Sequence, residues 1–296
     1  MKLNCPNLKC SSRLLTSPTS RLFVRNGSYF RKSDSRRIRR FLCLRCQTYF
    51  SAATLKATYR QKKRRINVPL NRLFCSGVSQ RRAAILLNVN RKTIIRRFRF
   101  LADEARIQQN DWMERYREDP LSKIQFDDLE TSEHTKCKPL SVALAIDPIT
   151  RKILNFQVNQ MPAKGLLAKK AFRKYGYRPD HRPRGWNKMM KEITPYVLKN
   201  AEFTSDENPH YPKYVFQYFE DATHTQVKGG RGAATGQGEL KKLKHDPLFS
   251  LNHTCAMLRA NLNRLFRKTW CTTKNKKGLI DHLSLYVVYH NQVLTA

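Results

Sequence analysis

A chain of 296 residues exceeds one average domain, so its length predicts two or three units with at least one sizeable core. Its 58 lysines and arginines face 22 acids, a formal net charge of +36, and the simplest partner for such a field is a polyphosphate backbone. No apolar run approaches the roughly 18 residues of a membrane span and no leader-like apolar stretch opens the chain, which predicts a cytoplasmic, nucleoid-associated protein with no membrane partner.

The charge is uneven, because residues 1–100 hold 26 of the 58 cations against a single acid, Asp34. Residues 1–55 are rich in cysteine, arginine and aromatics with little helical periodicity, and they predict a small strand-and-knuckle module whose own core is too small to hold it. Two close cysteine pairs supply the missing staple: Cys5-Pro-Asn-Leu-Lys-Cys10 and Cys43-Leu-Arg-Cys46, with 32 residues between them. Four thiolates from two knuckles make a closed tetrahedral zinc site, so Cys5, Cys10, Cys43 and Cys46 are expected to bind Zn²⁺ in a structural role with no open ligand position. Cys75, Cys137, Cys255 and Cys271 read as ordinary buried thiols.

Residues 56–110 form a second expected unit, entered through a basic connector at Lys56–Arg65. Ala83, Ala84 and Leu87, then Val89, then Ile94, Ile95 and Phe98 show helical spacing across a break at Asn88–Asn90, which predicts a helix-turn-helix. Arg91, Lys92, Thr93, Arg96 and Arg97 fall at the start of the second helix, where a recognition helix meets base edges and phosphates. A helical hairpin with a merely solvated basic face is the competing reading, and the density of arginine favours DNA.

A polar stretch at Asp111–Pro120 leads into residues 120–296, where the pattern turns strand-like at Ile124–Leu129, Leu140–Ile146 and Ile153–Val158. A helix is expected over Trp186–Lys199, with Pro195 kinking or shortening it, then a short strand at Glu202–Ser205 and a terminal helix. This order predicts an α/β domain with a mixed sheet. Acids end two of the strands: Asp127, Asp128 and Glu130 in one, and Asp206 just after the other. Strand-borne carboxylates can converge on Mg²⁺ or Mn²⁺ and serve phosphodiester chemistry, although either acid alone is more often a turn or cap residue. Two further stretches read as DNA-handling surface: Lys164–Arg184, with eight cations against Asp180, and the glycine-bearing Lys228–Lys244. A solvated loop explains either equally well.

Four features together resemble zinc-ribbon insertion-sequence transposases: the run Arg36–Phe50 into the second knuckle, the helix-turn-helix, Phe126-Asp127-Asp128-Leu129-Glu130-Thr131, and the tail Leu258–Thr269. The resemblance spans nearly the whole chain and implies an RNase H-like nuclease domain with two aspartates and a third residue, Glu or Asn, at the start of the last helix. Matched to that pattern, Asp127 is the first, Asp206 the second and Asn252 the third, all expected on Mg²⁺ or Mn²⁺. Arg259, seven residues beyond Asn252 and on nearly the same helix face, is implied to hold DNA phosphate. Asn252 departs from an all-acid triad and reads equally as the cap of its helix, leaving His253, Glu239 and Asp246 as other third ligands and Asp128 and Glu130 as sharers of the first position. The resemblance further implies double-stranded DNA as partner, both element ends and target, and a homodimer or larger assembly that pairs those ends. A DNA-binding regulator or catalytically dead transposase is the alternative it leaves open, and an RNA-binding zinc-ribbon protein is a third.

Overall fold

The computed structural model of the protein describes residues 3–13, 22–228, 246–266 and 269–295. The chain divides into two compact units, Met1–Pro69 and Leu70–Ala296.

The first unit is a three-stranded antiparallel sheet in the order β1-β2-β3, with β1 at Phe23–Arg31, β2 at Arg36–Cys43 and β3 at Tyr49–Ser51. Its apolar core is small, as the composition requires. Phe50 lies 5.6 Å from both Phe41 and Phe23, and these rings pack beside the buried Cys5, Cys10 and Cys43.

The second unit is α/β, built on a five-stranded mixed sheet in the order β6-β5-β4-β7-β8. β4 (Leu121–Ser132), β5 (Pro139–Ile146) and β6 (Ile153–Gln160) form an antiparallel meander, while β7 (Val197–Asp206) runs parallel to β4 and β8 (Thr223–Val227) parallel to β7. Alternation along β5 sends Leu140, Val142, Leu144 and Ile146 to one face and Ala143 and Ala145 to the other. Each face is buried by helices, which is why β5 reads as an unbroken apolar run.

One covering layer contains α1 (Asn67–Phe74), α2 (Gln80–Leu86), α3 (Arg91–Met113), α7 (Phe249–Asn261) and α8 (Lys276–Tyr289). The opposite layer holds α5 (Arg182–Ile193) and α6 (Tyr211–Phe216), closed by Trp186, Met189, Met190 and Tyr211. Another helix, α4 (Leu167–Tyr175), occupies part of the basic stretch read from sequence as surface.

Three boundaries differ from the sequence reading for local reasons. α3 continues to Met113, past the expected unit boundary at residue 110, because Ala102, Ala105 and Trp112 keep one face buried into the polar stretch. The helix expected at Trp186–Lys199 begins earlier, at Arg182 with Pro183 in its first turn, and stops at Ile193, where Pro195 opens a 3₁₀ turn. The strand expected at Glu202–Ser205 extends back to Val197. α8 was not separable in sequence from the tail, since its residues are buried on nearly every side. Among the described residues, no helix is long and apolar enough to cross a membrane.

Candidate functional site

Four cysteines meet in the first unit. Cys43 and Cys46 bracket a turn closed by the Gln47 N–H on the Cys43 carbonyl (2.8 Å) and by the Cys43 N–H on Thr48 (3.0 Å), with Gln47 at φ 56°. Asn7 organises the other knuckle, accepting from the Lys9 N–H through its side chain and from the Cys10 N–H through its carbonyl, both at 3.1 Å. The four Sγ atoms all lie within 4.8 Å of one another, with Cys5 to Cys46 at 3.4 Å and Cys10 to Cys43 at 3.7 Å. Tetrahedral zinc with bonds of about 2.3 Å needs sulfurs about 3.8 Å apart, so the set could bind zinc and would leave no vacant position. Hydroxyls stand ready to support thiolates: Ser12 Oγ is 3.0 Å from Cys10 and Thr48 Oγ1 is 3.2 Å from Cys46, where it helps pull that thiol down to about 6.

A second constellation stands at the centre of the mixed sheet. From β4 the chain moves out through β5 to β6, then returns across α5 to β7 on the other side of β4, so the strand order reverses between β4 and β7. In open α/β sheets such a reversal leaves a crevice beyond the strand ends. The pairing between the two strands ends at Gln125 opposite Thr204, and two residues further along each lie Asp127 and Asp206. An even step preserves the face, so both carboxylates emerge on the α7 side of the sheet.

Asp128 and Glu130 point the other way. Asp128 accepts from Ser141 Oγ at 2.5 Å and from the Trp186 indole at 3.2 Å, while Glu130 pairs with Lys164 at 2.9 Å. The structure therefore separates the neighbouring acids that the sequence left together: Asp127 shares a face with Asp206, and Asp128 and Glu130 do not.

Burial pushes the Asp127 carboxyl up to about 7, and the Asp206 charge adds to that. Burial likewise raises Asp206, with the Glu207 charge beside it. One Asp127 oxygen is fully engaged, because Oδ1 accepts from the Asp128 N–H at 2.6 Å and the Tyr211 hydroxyl at 3.1 Å. Tyr211 is itself fixed by the Trp186 and Phe126 rings at 4.7 and 5.1 Å. Sequence reasoning missed this tyrosine; its only signal is a Tyr-Pro turn five residues after Asp206.

α7 is fastened beside these acids by Gln125, whose amide donates to the Pro247 carbonyl at 2.8 Å and accepts from the Leu251 N–H at 3.2 Å. Asn252 follows directly, but it does not cap the helix: Leu248 occupies the cap position, Asn252 lies inside the first turn, and α8 comes after α7. Its exposed carboxamide donates to Asp246 at 2.9 Å. Asp246 also accepts from the Leu248 N–H at 3.0 Å, so it closes the turn into α7. His253 lies beside the Phe249 ring, tilted against it with centroids 5.8 Å apart. Burial holds the Cys255 thiol up at about 12, with the Asp127 charge adding and Arg259 opposing. Glu239 and most of Lys228–Lys244 lie outside the described residues.

The cationic residues of α3 begin at a helix start capped by Asn90, which accepts from the Lys92 N–H at 2.8 Å. Ser79 caps α2 in the same way, and Asn88, at φ 47°, turns the chain between the helices. Arg91, Lys92 and Arg96 are exposed, while Thr93 and Arg97 are half-buried. A cavity of about 810 Å³ lies elsewhere, between α3, α5, α8 and the edge strand β6.

Searches against protein-family models and curated proteins found no match to this chain.

Proposed function

We propose that the protein is a transposase that binds the terminal inverted repeats of a mobile element and catalyses metal-dependent DNA strand cleavage and strand transfer. One observation carries the reading: Asp127 and Asp206 lie at matching positions beyond the paired part of two neighbouring parallel strands, on one face, at the strand-order reversal. Two carboxylates whose proton affinity is raised by burial, with the Asp206 charge adding at Asp127, are hard oxygen donors suited to Mg²⁺ or Mn²⁺. Asp127 Oδ2 and Asp206 would hold the cation, with Asn252 offered from α7. When bound, it supplies neutralisation of the charge on the pentavalent phosphorus and activation of the attacking water or 3′-hydroxyl. The protein's own contribution is positioning: Tyr211 and the Asp128 N–H fix one Asp127 oxygen and leave the other available, and Arg259 offers a cation to DNA phosphate from the same helix as Asn252.

The mixed sheet covered on both faces by helices supports an RNase H-like domain, and the capped α2 and α3 with their exposed cations support a DNA-docking helix-turn-helix. Double-stranded DNA is then the partner, and paired ends call for a homodimer or larger assembly. Incubation of the full chain with a pre-cleaved element end, a target plasmid and Mn²⁺ tests the assignment. End joining that disappears in Asp206→Asn supports it; no joining by the wild type under any divalent cation contradicts it.

A second reading, a DNA-binding regulator or inactive transposase, is favoured by the Asn252 carboxamide, which is engaged with Asp246. It predicts specific binding of the ends with neither cleavage nor joining.

A further inference from the structure

The β1–β2 hairpin of the first unit is a two-stranded ribbon over most of its length. β3 pairs with β2 from Arg40 to Leu42 and the Ala52 N–H reaches the Arg39 carbonyl at 3.0 Å, so from Ile38 outward, among the described residues, neither edge of the ribbon carries a further strand, and Arg64 meets only the Asp34 turn. A two-stranded ribbon of this kind is marginal on its own and ordinarily covers an apolar face. Here neither face is apolar.

Strand pairing assigns the faces. Arg25 opposite Phe41, Ser28 opposite Arg39 and Phe30 opposite Arg37 share one; Tyr29 opposite Ile38 and Arg31 opposite Arg36 share the other. Arg40 belongs with the second group, because its guanidinium lies 5.5 Å above the Tyr29 ring. Arg25, Arg36, Arg37, Arg39 and Arg40 are all exposed, so cations project from both faces. The single acid, Asp34 in the turn, is already paired with Arg31 and with Arg64 at 3.7 Å.

We propose that this hairpin inserts into the major groove of duplex DNA. The inference rests on the DNA-binding part of the reading above and names the element and the groove. A ribbon with cations on both faces needs anions on both sides. The major groove supplies two phosphate walls about 12 Å apart and admits a two-stranded ribbon, whereas the minor groove, about 6 Å wide, does not. A single strand would run along one face and leave the opposite arginines unmatched. The bulge between Arg25 and Ser28, with Gly27 at φ +65°, adds twist to the ribbon, as following a helical groove requires.

The test is the salt dependence of binding to a mixed-sequence duplex, comparing the zinc-loaded full chain with Arg36→Gln/Arg37→Gln/Arg39→Gln/Arg40→Gln. Each phosphate that is no longer neutralised lowers the slope of log K against log salt by about 0.9, so the variant is expected to lose about 3 to 4. A duplex with bulky glucosyl groups in its major groove is expected to weaken the wild type and leave the variant little changed, while a minor-groove competitor affects neither. Zinc content equal to wild type shows that the variant keeps its fold, and Arg37→Gln/Arg39→Gln alone, which leaves Arg25 on that face, is expected to lose about half as much slope as the quadruple variant. Equal slopes for wild type and quadruple variant overturn the hairpin assignment alone. Loss confined to single-stranded RNA overturns it in favour of an RNA partner, and a wild type that binds no duplex overturns the DNA reading itself.

Discussion

Asp127 and Asp128 are adjacent and chemically alike, and strand alternation alone gives them different work. Asp127 faces Asp206; Asp128 turns into the α5 layer to take the Ser141 hydroxyl and Trp186 indole. The motif match named Asp127 and kept Asp128 only as a sharer of its position, whereas sequence missed Tyr211, because a hydrogen bond spanning 84 positions leaves no local pattern. Tyr211→Phe removes one of the two donors to Asp127 Oδ1 and should lower metal-dependent activity roughly 10–100-fold, read as a shift in the Mn²⁺ concentration needed for nicking. An unchanged Mn²⁺ requirement would remove the tyrosine from the site. His282 supplies a pH test away from that chemistry. Its Nε2 donates to the Phe74 carbonyl at 2.9 Å, its Nδ1 is buried beside Phe74 and Phe98 with no hydrogen-bond partner, and burial pushes its pKa down to about 3. A depressed histidine favours the fold above its unfolded pKa of about 6.5 and withdraws that contribution as pH falls toward about 3. Melting temperature should therefore decline on acidification through this window, and His282→Gln, which keeps an amide donor, should decline less steeply; parallel curves would contradict this.

The sheet carries the recognisable part of the second unit. An unbroken apolar run marked β5, because burial on both faces leaves few polar interruptions, while shorter apolar stretches mixed with polar residues marked β4 and β6, and Pro195 marked the end of α5. Register was not legible, since nothing in a strand's own residues states that Gln125 pairs with Thr204, and on that pairing depends the meeting of Asp127 with Asp206. Nor was α7's attachment: Gln125 looks like a polar residue in a strand, yet it is 7% exposed and its amide joins β4 to both Pro247 and Leu251. Gln125→Ala leaves a carbonyl and an N–H without partners and should cost about 1–3 kcal/mol in chemical denaturation. Because α7 carries Asn252 and Arg259, the same variant should lose activity beyond its loss of stability; a stable, fully active Gln125→Ala protein would show that α7 needs no such fastening.

The two units are held by different physics, and the spacing of the cysteines along the chain already marks that difference. The first unit gathers four sulfurs beside three aromatic rings, whereas the second encloses a sheet between two helical layers. Metal binding is then folding energy for the first unit alone. Chelation of zinc should unfold residues 1–69, seen as new proteolytic sites there, while leaving the melting transition of residues 70–296 in place. Loss of both transitions together would contradict independent stabilisation. The charge of the chain pointed to a nucleic-acid partner, but charge names no reaction, and the proposed chemistry rests on two carboxylates that strand register puts on one face. The most direct measurement is Mn²⁺-dependent nicking of duplex DNA bearing the element's inverted repeats, comparing wild type with Asp127→Asn, Asp206→Asn and Asp128→Asn. Nicking by the wild type that vanishes in the Asp127 and Asp206 variants and survives in part in Asp128→Asn is the predicted result; nicking that persists in Asp127→Asn or Asp206→Asn, or that the wild type never shows, would contradict it.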